Sequence, residues 1–210
     1  SGDPRRALEL TKRSVELFRE FGTPMNHGRS LLNLGEAHAL LGEREPSLRC
    51  YEESLELLRR CGDRYGEAVL LGNFVDAYRE RGDTQAARQA AEQKLQISRE
   101  IGDRLGEATA IRQLGSCLGA LGDLDRCSEM LREALRICRE IGDRRGALMA
   151  TGTLGEMGSA RSNLHRAAEH YAEALEEARA IGEREVEGEL CWALGGVLEK
   201  LGELDRAAET

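Results

Sequence analysis

The sequence is poor in the residues that build sheets, staples and membrane spans. Only three prolines and eight aromatic side chains (Trp192, four tyrosines and three phenylalanines) occur in 210 residues. A core drawn from a chain that is 40% apolar must therefore be filled mainly by Leu, Ile, Val and Ala, which favours helices. No apolar run reaches the eighteen residues of a membrane span, and Ser1-Gly2-Asp3-Pro4 lacks the charged-then-apolar pattern of a secretory signal, so we expect a soluble chain. The six cysteines, Cys50, Cys61, Cys117, Cys127, Cys138 and Cys191, form no Cys-x-x-Cys pair and have no close histidine. That spacing excludes the usual zinc and redox patterns. With no Asn-x-Ser/Thr acceptor either, reduced thiols and a cytoplasmic location are expected.

A basic face is also missing. The formal charge is −8, and arginines alternate with glutamates along the chain as on solvated helix faces. Neither nucleic acid nor an anionic membrane is an expected partner. The four histidines, His27, His38, His165 and His170, supply no catalytic or metal-binding pattern: His165 and His170 are five apart, not the four that puts two ligands on one helical face. No phosphate-cradling glycine loop is present. The reading is of no enzyme, no metal and no cofactor.

What is abundant is glycine, and it is periodic. Gly22, Gly62, Gly102, Gly142 and Gly182 recur at intervals of forty. Gly42, Gly82, Gly122 and Gly202 form a second column, with Ser162 in the empty slot, and Gly35, Gly115, Gly155 and Gly195 a third, with Val75 as the exception. Gly66, Gly106 and Gly146 complete the set, so 16 of 24 glycines are positional and none of those marks a floppy linker. Apolar columns keep the same register, including Leu34, Phe74, Leu114, Leu154 and Leu194. Within a unit the apolar steps are three and four, as in Leu105, Ala108, Ile111, Leu114, Leu118 and Leu121. Each unit is thus two amphipathic helices, each about 27 Å long at 1.5 Å per residue.

Gly-Asp pairs such as Gly102-Asp103, Gly122-Asp123 and Gly142-Asp143 end one helix and cap the next. Arg81-Gly82-Asp83 fills the same slot and is read as a turn, not as a recognition signal. So short a connection packs consecutive helices antiparallel. The expected order is a lone second helix at 4–21, full hairpins at 22–61, 62–101, 102–141 and 142–181, and an incomplete fifth at 182–210. In that fifth unit, 183–202 forms the first helix and Leu204–Thr210 begins the second. Ends of this kind are expected of a segment from a longer array. The fourth unit is irregular: it carries Arg161-Ser162-Asn163 at the turn and Gly152, Gly155 and Gly158 inside its first helix, which reads either as a hinge or as a drifted repeat.

Ile111, Leu114-Gly115 and Leu118, followed by Cys127, Leu131 and Ala134, resemble the tetratricopeptide repeat. Leu34-Gly35, Ser47, Tyr51 and Ser54, and Leu154-Gly155, Ala167, Tyr171 and Ala174, repeat the pattern. The forty-residue unit, and stretches such as 95–103 and 187–195, are similar to G-protein-signalling modulators of the Pins type and to repeat arrays of bacterial signalling ATPases and transcriptional regulators. The resemblance implies an all-α, right-handed superhelical solenoid of antiparallel helical hairpins, with ligands lying against the first helices.

On that footing the residue after each Leu-Gly pair faces the groove, namely Glu36, Asp76, Ser116, Glu156 and Gly196. The Pins-type proteins present Asn there. Asn donates and accepts at once whereas a carboxylate only accepts, so a ladder of clasps on a peptide backbone is not available. The chaperone-tail clamp of other such domains looks for Lys and Asn where this chain has Leu32 and Glu36. Other expected groove residues are Arg29, Asn33, Asn73, Arg79, Arg112, Gln113 and Trp192. Trp192 shares a column with Leu32, Gly72, Arg112 and Gly152; it is either a groove anchor or the seal of a packing gap. Glu36, Asp76 and Glu156 favour a protein or peptide ligand carrying Arg or Lys. The expected function is a non-catalytic adaptor. The alternative is an effector-sensing or autoregulatory arm of a larger regulator, whose partner is a small effector or another domain of its own chain.

Overall fold

The structure is a computed structural model and describes residues 3–203. It is all-α: among the described residues there are ten helices and no strand. They are α1 (Pro4–Phe21), α2 (Pro24–Leu40), α3 (Arg44–Cys61), α4 (Arg64–Glu80), α5 (Thr84–Ile101), α6 (Arg104–Ala120), α7 (Leu124–Ile141), α8 (Arg144–Ala160), α9 (Leu164–Ile181) and α10 (Arg184–Leu201). The second helix expected at Leu204–Thr210 lies outside the described residues. No helix among the described residues is long and apolar enough to cross a membrane.

The punctuation works as its chemistry demands. Gly62, Gly102, Gly142, Gly182 and Gly202 close their helices with φ between 69° and 77°, the left-handed conformation in which a Cβ is strained. Gly22 departs from its column. Its φ of −96° and ψ of 173° are extended, because Thr23 follows at once as the N-cap of α2 and accepts the Asn26 N–H. Asp63, Asp83, Asp123 and Asp143 each accept the backbone N–H three residues on. The column Gly66, Gly106 and Gly146 serves these caps: a Cβ at any of the three would collide with the capping carboxylate of Asp63, Asp103 or Asp143. In the irregular fourth repeat, α8 is continuous through Gly152, Gly155 and Gly158, and Ser162 takes the left-handed position at φ 57°.

Two compact units are present, residues 1–106 and 107–210. In the first, α2 packs on α1, α3 and α4, and α4 packs on α3 and α5. Its interior includes Leu58, Leu70 and Val75, and its aromatic side chains meet at Tyr51, Phe74 and Tyr78, with ring centroids 5.7 and 5.6 Å apart. Buried Ser54 donates to the carbonyl of Gly28 at 2.7 Å, tying α3 to α2. Lys94 is buried in a column otherwise held by Ser54, Ala134 and Ala174, and its ammonium lies 2.7 Å from where a Cβ of Gly72 would stand. In the second unit α8 packs on α7 and α9, and α9 on α10. Leu148, Tyr171, Leu175, Leu190, Leu194 and Leu198 share one core there.

Candidate functional site

The glycine before the expected groove residue sets the local shape. Tyr51 of α3 lies so close to Gly35 of α2 that any Cβ at position 35 would penetrate the ring, and a Cβ at Gly155 would stand 2.6 Å from the Tyr171 ring. With Leu131 in the tyrosine slot, its side chain stands 3.4 Å from a Cβ placed at Gly115. Where the slot holds Ala91, the glycine is replaced by Val75, and both side chains are fully buried. Large meets small at each of these four hairpins, as close packing requires.

Above Tyr51 a cavity of about 400 Å³ opens between α2, the start of α3 and α4. Its apolar floor includes Leu40, Leu48, Tyr51 and Ala77, and its polar wall is Glu36, Asn73, Asp76 and Glu80, with Arg44 and Arg81 at the edge. Asn73 donates to the Glu36 carboxylate at 3.0 Å, which orients that acceptor. Arg44 lies 3.3 Å from Glu80. Asp76 is 62% exposed in its side chain and has Arg79 only at 3.9 Å. Burial pushes the Tyr51 phenol up from its ordinary value, with Ser47 opposing; the negative charges of Glu36 and Asp76 push the same way as burial.

Three of the expected groove residues, Glu36, Asn73 and Asp76, therefore share one site, and Arg79 flanks it. Asn33 is exposed on α2. Arg29 lies elsewhere: its Nε donates at 2.7 Å to Asp63, the cap of α4. The guanidinium holds the Asp63 carboxyl below the usual carboxylate range; burial opposes this and the Gly66 N–H assists it. Gln113 has to be corrected. It is only 4% exposed, so an amide expected to meet ligand is an interior residue. Asn73, in the same column, already shows a side chain turned to a neighbouring helix in preference to solvent. Arg112 and Ser116 are half-buried and Glu156 is exposed.

Trp192 is 85% exposed among the described residues. It borders a second cavity of about 560 Å³ in the second unit, with Ser159, Tyr171, Gly196, Val197 and Lys200. The lining residues Leu40, Arg44, Tyr51 and Glu80 were not expected from the sequence. A signal for one pair existed: Arg44–Glu80, Arg64–Glu100 and Asp125–Arg161 are all ion pairs at a spacing of 36. Among the described residues no group of three or more His, Cys, Asp or Glu side chains could hold a metal ion.

Comparison with curated proteins finds no match. Among solved structures, BtubC (BKLC) from P. vanneervenii is similar at 18% identity and a TM-score of 0.82, over 100% of this chain and 88% of that one. The STAND signal-transduction ATPase PH0952 of Pyrococcus horikoshii, which has a tetratricopeptide repeat sensor, is similar at 15% identity and a TM-score of 0.81. That likeness covers 98% of this chain, which spans only 34% of the ATPase. A Rap protein complexed with competence and sporulation factor matches at 14% identity and a TM-score of 0.75, over 96% of this chain and 66% of that one. At such identities the likeness is one of fold, an all-α repeat solenoid. A family profile described as tetratricopeptide repeat matches residues 26–100, 66–140 and 106–180, and with most of its length so matched the chain belongs to the tetratricopeptide repeat family.

Proposed function

We propose that the chain is a non-catalytic interaction module that holds a segment of a partner protein in the cavity of its first unit. The observation that carries this is the convergence of Glu36, Asn73 and Asp76 over an apolar floor in about 400 Å³, within the range of pockets that bind ligands. The wall has three carboxylates and two guanidinium groups, and Arg44 is already engaged by Glu80. Glu36 and Asp76 are left to receive a cation. An Arg or Lys of the partner sits against them, and a neighbouring apolar side chain rests on Leu40, Leu48 and Tyr51. Binding of paired basic and acidic peptides to the wild type and to Asp76→Lys tests this. The basic peptide should lose about tenfold or more in affinity, the equivalent of about 1.4 kcal/mol. An unchanged preference would overturn the reading.

The likeness to an ATPase with a tetratricopeptide repeat sensor supports a second reading, in which the same cavity takes a small effector or another domain of a longer regulator. A cavity of this size suits a small molecule as well as two side chains of a peptide.

A further inference from the structure

A third cavity, of about 210 Å³, opens among α7, α8 and α9, and the repeat explains its presence. At the same place in the first unit Glu67 of α4 is buried and accepts from Arg59 and from Arg64, each at 2.7 Å. Arg64 is held a second time, by Glu100 of α5. Two repeats on, Glu67 is replaced by Ala147, Leu71 by Thr151 and Glu100 by Ala180. The first two changes vacate space, and with Glu67 and Glu100 both carboxylates that hold Arg64 are gone. The column of Ile97 and Ile137 meanwhile holds Glu177. A carboxylate has thus moved from the first helix of the hairpin to the second, away from the arginines that answered it.

The charged residues lining this cavity are Arg139, Asp143, Arg144, Glu173 and Glu177. Three of them are engaged: Arg139 pairs with Glu173, and Asp143 accepts the Gly146 N–H and faces the Cys138 thiol. Arg144 and Glu177 have no ion-pair partner among the described residues, each other included. One carboxylate oxygen of Glu177 is fully buried and accepts no hydrogen bond, a strongly disfavoured state that calls for a donor. Glu173, one turn before Glu177, reaches Arg139, so this side of α9 is turned toward α7 and away from whatever follows α10. A ligand of one sign would answer one of the two groups and be repelled by the other, whereas a ligand carrying both charges answers both.

We propose that this third cavity binds a free α-amino acid as its zwitterion, with the ammonium donating to Glu177, the carboxylate accepting from Arg144 and the side chain against Ala147 and Thr151. The inference does not depend on the acidic cavity of the first unit. A space of about 210 Å³ is the room of roughly seven waters, which suits a molecule of about six to nine non-hydrogen atoms. Alanine, threonine, valine and leucine are of that size, and the 210-residue chain is heated with each. At least one should raise the thermal midpoint saturably, by about 2–4 °C. Its methyl ester, which lacks the carboxylate, and its N-acetyl derivative, which lacks the ammonium, should lose the shift. Glu177→Ile restores the residue of the sibling repeats, and Ala147→Glu restores the carboxylate that Arg64 meets at Glu67. The midpoint itself shows that each variant folds; both should lose the shift, whereas Asp76→Lys should keep it. A midpoint that none of the four amino acids moves, or a shift that survives Glu177→Ile, would overturn the proposal.

Discussion

The two units raise the same cavity on the same foundation and finish it in opposite ways. Tyr51 packs on Gly35 in the first and Tyr171 on Gly155 in the second. Over Tyr51 the wall is Asn73, Asp76 and Glu80; the register equivalents beside Tyr171 are Ala193, Gly196 and Lys200. The shape of the hollow is thus a property of the repeat, set by a glycine and a ring that recur. Its chemistry belongs to the positions that do not recur. The largest effects are expected where a substitution attacks the shared foundation, and the smallest where it touches only the turns.

Gly35→Val copies the residue that the second hairpin carries as Val75, but beneath a tyrosine. Overpacking of this kind should cost about 3 kcal/mol in urea denaturation. Adding Tyr51→Ala reproduces the Val75 and Ala91 pairing, and the double variant should recover about 2 kcal/mol relative to the sum of the single changes. Strict additivity would show that ring and glycine are not coupled, and with that the account of the cavity floor would fall.

The capping aspartates divide the units in a second way. Asp63 is held by Arg29, whereas the place of Arg29 in the repeat that ends at Asp143 is taken by Thr109, and Asp143 faces the Cys138 thiol at 3.8 Å. Burial, followed by the charge of Asp143, pushes that thiol up to about 11. Because the Asp63 pKa is depressed on folding, its contribution is fully present above its ordinary value of 3.8 and is lost as pH falls through the lower folded value. Asp63→Asn keeps an acceptor for the Gly66 N–H and removes the charge. It should cost about 1–2 kcal/mol at neutral pH, with a difference from wild type that closes in acid. A penalty that stayed constant down to pH 2 would assign the loss to the cap alone.

Helix boundaries were legible because they are written in residues with few conformational alternatives: a glycine at positive φ and an aspartate one step later. The groove was legible in part. Glu36 and Asp76 followed from helical phase, and Asn73 joined them because adjacent first helices place positions 36 and 73 side by side. Phase alone could not say whether a polar side chain turns to solvent or is buried, as Gln113 is. Nor could it show that Arg29 has a partner 34 residues away at the cap of α4. Tyr51 belonged to a packing column, so its second role as a cavity floor was hidden by its first.

The turns give the finest comparison. In the first unit Gly42 and Gly82 take the left-handed position with φ of 72° and 77°; in the second, Gly122 and Gly202 take it with φ of 87° and 77°, but the slot between them holds Ser162 with φ 57°, the one residue other than glycine with positive φ among the described residues. Its Cβ crowds the following carbonyl there, at a cost of about 1 kcal/mol. The next residue, Asn163, makes no capping hydrogen bond, whereas Asp83 accepts the Ala86 N–H at 3.0 Å. Ser162→Gly should therefore stabilise the chain by about 0.5–1 kcal/mol, and Asn163→Asp should add a few tenths more by placing a carboxylate at the positive end of α9. Amide hydrogen exchange should localise the gain to α8 and α9, which pack on each other. Stabilisation spread evenly over both units, or none, would mean that the drifted turn is already relaxed and that the irregular repeat is as sound as its siblings.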